Sequence, residues 1–184
     1  MKNITAKHIF IILGVILVIE LILGLRSLTK SSISLQPTAT ISQKGAIMLT
    51  TDKLQVNTGD TVTVKVEVSS PVGADGIDAV AKFDPTMLSA SDKDIHPGAI
   101  FPQYPLSKVE PTGILRISGI ATPGVARFSG KGVFATVNFK TLKPGQSVIS
   151  VIFTPGSTTD SNIVSSIDGK QLLEQVGNLE VMVK

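Results

Sequence analysis

Gly76-Ile77-Asp78-Ala79-Val80-Ala81-Lys82-Phe83-Asp84-Pro85-Thr86-Met87-Leu88 is the stretch whose reading decides the fold. Ile77, Ala79, Ala81 and Phe83 share one side of an extended chain, and Asp78, Val80 and Lys82 share the other. A period of two marks a strand with one buried face. Asp84-Pro85 ends it, because proline has no N–H for a sheet ladder and biases the preceding residue toward extended geometry. Met87 and Leu88 then turn the chain back onto the core.

The same period continues on both sides. Upstream, Val62, Val64, Val66 and Val68 alternate with Thr61, Thr63, Lys65 and Glu67, the cleanest alternation in the chain. Asn57-Thr58-Gly59-Asp60 is a turn cluster before it, and Ser69 to Asp75 reads as the loop that separates it from the decisive strand. Shorter strands are expected at Ala46–Thr50 and Leu54–Val56. Downstream, Ile114–Ile120, Val133–Thr141, Ser147–Thr154 and Leu179–Val183 read as strands. In the second of these Val133, Ala135, Val137 and Phe139 are expected inside. Turn signals fall at His96-Pro97-Gly98, Ser129-Gly130-Lys131-Gly132, Lys143-Pro144-Gly145-Gln146 and Asp168-Gly169-Lys170. Eight or nine short strands without a helix among them predict an all-β jelly-roll β-sandwich over residues 45–184.

Ahead of this domain stands a different kind of sequence. Fourteen of the 17 residues from Ile9 to Leu25 are Ile, Leu, Val or Phe. A helix of that length spans about 25 Å, and Arg26 and Leu28 extend it toward a ~30 Å hydrocarbon core. The run outweighs the cost of Glu20 in its middle. Residues 1–28 are therefore expected to form an N-terminal anchor, with a transmembrane helix over about 9–28. No small-x-small cleavage site follows it. Residues 29–44, rich in Ser and Thr, read as a linker. Flanking charge does not set the orientation. The C-terminal domain is expected outside the cell, on a single-pass membrane protein.

Composition excludes several functions. The chain has no cysteine, so disulfides and thiolate metal sites are absent. The two histidines, His8 and His96, lack neighbours at metal-ligand spacing. Residues 45–184 carry 12 Lys and Arg against 13 Asp and Glu, and no basic stripe points to nucleic acid. No nucleophile elbow or phosphate loop occurs, and Asp78 and Asp84 are too far apart along a strand to act as a catalytic pair. Neither an enzyme nor a cofactor is expected. Asp160, Asn162 and Asp168 are a sparse calcium-type grouping without a full loop motif.

Val56-x-x-Gly59-Asp60-Thr61-Val62-Thr63-Val64, then Phe83-Asp84-Pro85-Thr86-Met87-Leu88, Pro97-Gly98, Gly132-Val133-Phe134-Ala135-Thr136-Val137-Asn138-Phe139, Asp168-Gly169 and Gly177-Asn178-Leu179-Glu180-Val181 occur in an order that resembles the cohesin domain. Cohesins are the receptor modules of cellulosome scaffoldins and related bacterial cell-surface proteins. The resemblance spans about residues 46–184. It implies a nine-stranded sandwich that binds a dockerin, a small calcium-loaded helical module on a partner such as a polysaccharide-degrading enzyme.

The docking face in that family is one flat sheet that includes the decisive strand. Asp78 matches an aspartate used there for dockerin contact. Gly76 stands where better-known cohesins place asparagine, and Gly119-Ile120 replaces an expected acidic contact. The partner-binding residues expected here are Asp78, Val80 and Lys82, with Arg116 and Ser118 outward on the neighbouring strand. Val80 would supply an exposed apolar centre. Two other readings stand beside docking: a carbohydrate-binding module of the same sandwich type, and a purely structural surface protein. The first lacks tryptophan and has only Tyr104 for sugar stacking.

Overall fold

The structure, a computed structural model, describes residues 44–184; the expected membrane helix and most of the linker lie outside them. Twelve strands form in the order β1 (Gly45–Thr51), β2 (Gln55–Val56), β3 (Thr61–Lys82), β4 (Leu88–Ser89), β5 (Ile95–Pro97), β6 (Gln103–Val109), β7 (Ile114–Ile120), β8 (Phe128–Thr141), β9 (Gly145–Val151), β10 (Asn162–Ser165), β11 (Leu173–Gly177) and β12 (Leu179–Val183). The only helical segment among the described residues is one 3₁₀ turn at Asp92–Asp94. The class is an all-β sandwich, as the alternation predicts. The strand count exceeds nine because β4, β5, β6, β10 and β11 fall outside the expected strands, whereas β3 joins two of them.

The main departure from the sequence reading is β3. Ser69 to Asp75 is not a loop; one 22-residue strand runs through it. Its first half pairs with β1 and β8, and its second half with β7, β10 and β9. The strand thus passes from one layer of the sandwich to the other. A register irregularity between Ser70 and Ala74 marks the crossing, where Pro71 needs no ladder donor and Gly73 leaves room for Ser166 and Arg127. The inward face changes parity there. Even-numbered Val62 to Val68 are buried before it, and odd-numbered Ile77, Ala79, Ala81 and Phe83 after it. Each half has the expected period, and the crossing joins them out of phase.

A second correction concerns β8. Val66 faces Ala135 and Glu67 faces Val133, so Phe134 is the extra residue of a β-bulge. The bulge turns Val133 outward, where it is 38% exposed, and drives Phe134 fully inside. The expected Val133 core position is therefore taken by Phe134. Phe101, Tyr104 and Phe128 gather around it or around one another with ring centroids 5.3–6.5 Å apart. Two further turn signals fall inside strands instead: His96-Pro97 is paired in β5, and Gly130, Lys131 and Gly132 are paired in β8. Glycine and proline mark bends in these strands rather than their ends.

Other boundaries move as well: β9 begins at Gly145, inside an expected turn, and stops at Val151 rather than Thr154, and β6, β10 and β11 lie where no strand is expected. The end of the decisive strand does fall where the sequence places it. Asp84 closes the decisive strand by accepting from the Thr86 N–H through its carboxylate and from Met87 and Leu88 through its carbonyl. The Thr86 bonds hold the Asp84 carboxyl below its ordinary pKa. Leu88 is then fully buried.

Candidate functional site

β6, β7, the second half of β3 and β10 lie side by side, and their outward residues form a sequence of cross-strand rows. Leu106, Ser118, Asp78 and Asn162 make one row. Lys108, Arg116 and Val80 make the next, toward the end of β3. Gln103, Ile120, Gly76 and Val164 make the row on the other side. Directly opposed residues on a sheet face interact with one another, so each row is a strip of surface chemistry.

Four of the five residues expected to meet a partner reach this surface. Ser118 donates its hydroxyl to the Asp78 carboxylate across the strand pair. Arg116 donates from Nε to Glu110 at 3.0 Å. Lys82 is exposed at the end of the strand. Val80 is not a surface residue: it is only 5% exposed.

The reason lies in the chain between β9 and β10. Ile152 N–H donates to the Val80 carbonyl at 2.8 Å, and Ser161 N–H returns to the Ile152 carbonyl at 3.0 Å. Between those anchors the chain makes an excursion, and its Thr158, Thr159 and Asp160 line a pocket together with Val80. Valine at an outward parity position is thus roofed by a loop remote in sequence.

Ser161 fastens the excursion. Its hydroxyl is wholly buried, accepts from the Val80 N–H at 2.9 Å and donates to the Val80 carbonyl at 3.0 Å. The carbonyl keeps Ile152 as a second partner, whereas the Val80 N–H has Ser161 alone among these bonds. Ser161→Ala is expected to cost about 1–3 kcal/mol, the penalty of an unpaired buried donor. Hydrogen exchange at the Val80 amide should accelerate relative to that at Val64, which lies in the other layer. Unchanged exchange at Val80 would contradict this role.

A model of the cohesin domain family matches residues 47–172. The chain belongs to the cohesin family. Cohesin domains are non-catalytic docking modules. No curated protein sequence matches this cohesin significantly. Among solved structures, a type II cohesin domain from the cellulosome of Acetivibrio cellulolyticus aligns with a TM-score of 0.62 at 18% identity, over 75% of this chain and 95% of the other. The sixth cohesin of scaffoldin B from the same organism, in complex with a variant Cel5 dockerin, aligns with a TM-score of 0.61 at 20% identity, over 77% and 99%. The Coh-OlpA–Doc918 complex of Clostridium thermocellum gives 0.58 at 17% identity, over 77% and 99%. At these identities the likeness is one of fold.

The cohesin face also contains residues that local patterning misses. Glu110, at the β6–β7 turn, holds Arg116. Asp160 and Asn162 are 8% and 9% exposed, and one oxygen of each, Oδ1, has no hydrogen-bond partner among the described residues. The sequence marks these two only as part of a calcium-type grouping with Asp168. The structure gives Asp168 to Lys170 instead, at 3.0 Å on a hairpin tip. Among the described residues no three His, Asp or Glu side chains are arranged to hold a metal ion.

Tyr104 is not free to stack on a sugar ring. Its hydroxyl donates to the Phe134 carbonyl at 2.9 Å and its ring tilts against Phe134 at 5.3 Å. Burial pushes its pKa above the ordinary value.

Proposed function

We propose that this cohesin holds a dockerin-type protein partner on the outer face of β6, β7, β3 and β10, and that residues 1–28 tether it to the cell surface. The observation that carries the docking reading is the partly polar cross-strand row of Leu106, Ser118, Asp78 and Asn162, in a chain of the cohesin family. Solved relatives are seen in complex with dockerins. The face has the make-up of a recognition surface: aliphatic Leu106 and Ile120 beside hydrogen-bonding groups and a charged rim of Lys82, Lys108 and Glu110. The tether reading rests on the apolar run Ile9–Leu25. A link to polysaccharide degradation follows if the dockerin belongs to such an enzyme.

The test uses the full-length chain, immobilised in detergent and offered the dockerin modules of the producing organism. At least one should be retained in a calcium-dependent manner. The double substitution Asp78→Ala, Lys82→Ala should weaken retention by about 10-fold or more, most of it from Asp78, since truncating a central interface side chain costs far more than truncating a rim charge. Its thermal midpoint should stay close to that of the unsubstituted chain. Retention of no dockerin would sink the docking reading. Recovery of the full-length chain in the soluble fraction of washed cells would sink the tether.

A further inference from the structure

The end of the sandwich at which β1 begins is built differently from its faces. Gly45 opens β1 there, and its N–H donates to the Leu172 carbonyl at 2.9 Å, just past the β10–β11 hairpin. Ala46 pairs with Ser69, immediately before β3 crosses between the layers. The loop joining β7 to β8, residues 121–127, spans the same crossing, because Gly76 faces Ile120 and Ala74 faces Phe128. Gly73 draws these pieces together. Its carbonyl accepts from the Ser166 N–H at 2.9 Å, and a Cβ on it would fall 2.7 Å from Ser166 Oγ and 2.8 Å from Arg127 Cβ.

Two side chains at this end stand in solvent against their chemistry. Ile167 is 76% exposed, the highest value of any large apolar side chain among the described residues, and Val125 is 48% exposed. The hairpin holds Ile167 in place: its N–H donates to Ser165 Oγ at 3.1 Å, and the Gly169 N–H donates to the Ser165 carbonyl at 3.0 Å. Val125 sits in a run, residues 121–126, that contains no charged residue. The charges that do occur nearby are matched. Every acid or base within residues 44–45, 70–75, 121–127 and 165–170 is in an ion pair: Lys44 with Glu174, Arg127 with Asp75, and Lys170 with Asp168.

Apolar tips ringed by matched charges suit a lipid surface. The side chains can enter the boundary between headgroups and acyl chains without drawing an unpaired charge in with them. The place of this end in the chain favours the same occupant. On the tether reading the chain comes to Lys44 from the bilayer, so the end that it enters is the one brought nearest. The 15 residues from Thr29 to Gln43 could reach roughly 50 Å if extended, so the tether alone does not press this end onto lipid. It does keep the two at high effective concentration, and a weak apolar contact then suffices. β3 and β7 run away from the crossing toward Lys82 and Ile114, so their outer face stays open in this pose.

We infer that the end bearing Ile167 and Val125 rests on the lipid surface, with both side chains inserted at the headgroup boundary. The contact is apolar and needs no anionic lipid. This deepens the tether half of the proposed function and rests on it. It gives the domain a fixed stance on the membrane, with the docking strands rising from it.

The chain contains no tryptophan, so a single substitution supplies its own probe. Full-length Ile167→Trp, Val125→Trp and Leu54→Trp are each reconstituted in phosphatidylcholine vesicles with or without bromine on the upper acyl chain. Leu54 is the control: it is 59% exposed and lies beside Met182, away from the hairpin. Brominated lipid should quench more than half of the emission at positions 167 and 125 and leave position 54 unchanged. Adding phosphatidylserine or raising the salt should not alter this. Ile167→Ser in the Val125→Trp chain should reduce the quenching while leaving the thermal midpoint in place. Vesicle flotation of the same samples reports the tether separately. Chains that float but show no quenching, or equal quenching at position 54, would overturn the inference and leave the tether standing. Quenching that appears only with phosphatidylserine would overturn the apolar contact. A blue shift without quenching that grows with protein density would assign the tips to a second copy and overturn it too. Chains that do not float would sink the tether and this inference with it.

Discussion

Phe134→Ala is expected to lower the free energy of unfolding by about 3–5 kcal/mol, the range for a large aromatic removed from a core. The ring is wholly buried. It meets Phe101 edge-on at 6.2 Å and Tyr104 at 5.3 Å. Its backbone also acts as an anchor, since the Phe134 carbonyl accepts from both Tyr104 and the Gly98 N–H. Those bonds survive in the alanine variant, so the destabilisation should come from the cavity and the absent ring packing. The neighbour across the cavity is Gly119, where a Cβ would fall 2.6 Å from Phe134 Cε2 and 2.8 Å from Phe101 Cδ2. Gly119→Ala should therefore destabilise the original protein and be milder in the Phe134→Ala background, a non-additive pair. Urea unfolding of the four proteins measures this. Strictly additive effects would mean that the two residues do not share that space.

Gly113→Ala is expected to cost about 2–4 kcal/mol, for two separable reasons. Gly113 has φ +80°, where an L-residue pays roughly 1–2 kcal/mol. In addition its Cβ would stand 2.2 Å from the Phe83 carbonyl oxygen and 2.9 Å from Pro85. That neighbour is backbone at the end of the decisive strand, and the Phe83 N–H donates to the Gly113 carbonyl at 2.9 Å. The β6–β7 hairpin cannot yield without pulling away from β3. Gly59 provides the control: its φ is +89°, with nothing within 4 Å of an added Cβ. Gly59→Ala should show only the conformational part. Equal effects at the two sites would refute the steric account. Gly113→Ala should also speed hydrogen exchange at Phe83, whereas Gly59→Ala should not.

The two substitutions probe features of different visibility. Gly113 precedes a strand in the sequence and reads simply as a turn. Its approach to Phe83 depends on a hairpin folding back across 30 residues. Phe134 looks like an outward residue by strict alternation, and only the bulge opposite Val66 and Glu67 places it inside. Val80 fails in the opposite sense: parity places it outside, and the Thr158–Asp160 bend covers it. In each case a period-two reading treats the strand as a straight ladder with open faces. Bulges and roofing loops are made by other parts of the chain and leave no local mark, and the proline and glycine at a sheet crossing read locally as a loop.

The candidate site was legible to the same degree. Asp78, Lys82, Arg116 and Ser118 could be placed on one surface because parity within a strand and adjacency of two strands suffice for that. Asp160 could not, because it lies outside any strand and reaches the surface through the Ile152 and Ser161 anchors on Val80.

By itself, the sequence determined the all-β class, the inner faces of both halves of β3 and of β7, and the stop after Phe83. Those follow from alternation and from proline's missing donor, both local properties. Tertiary structure alone decided that two segments are one strand shared by both layers, which residues exchange faces there, and that the buried Asp160 lines one pocket with Asp78. Such outcomes depend on which strands meet and in what register, and that is settled by packing between residues about 30 to 120 positions apart.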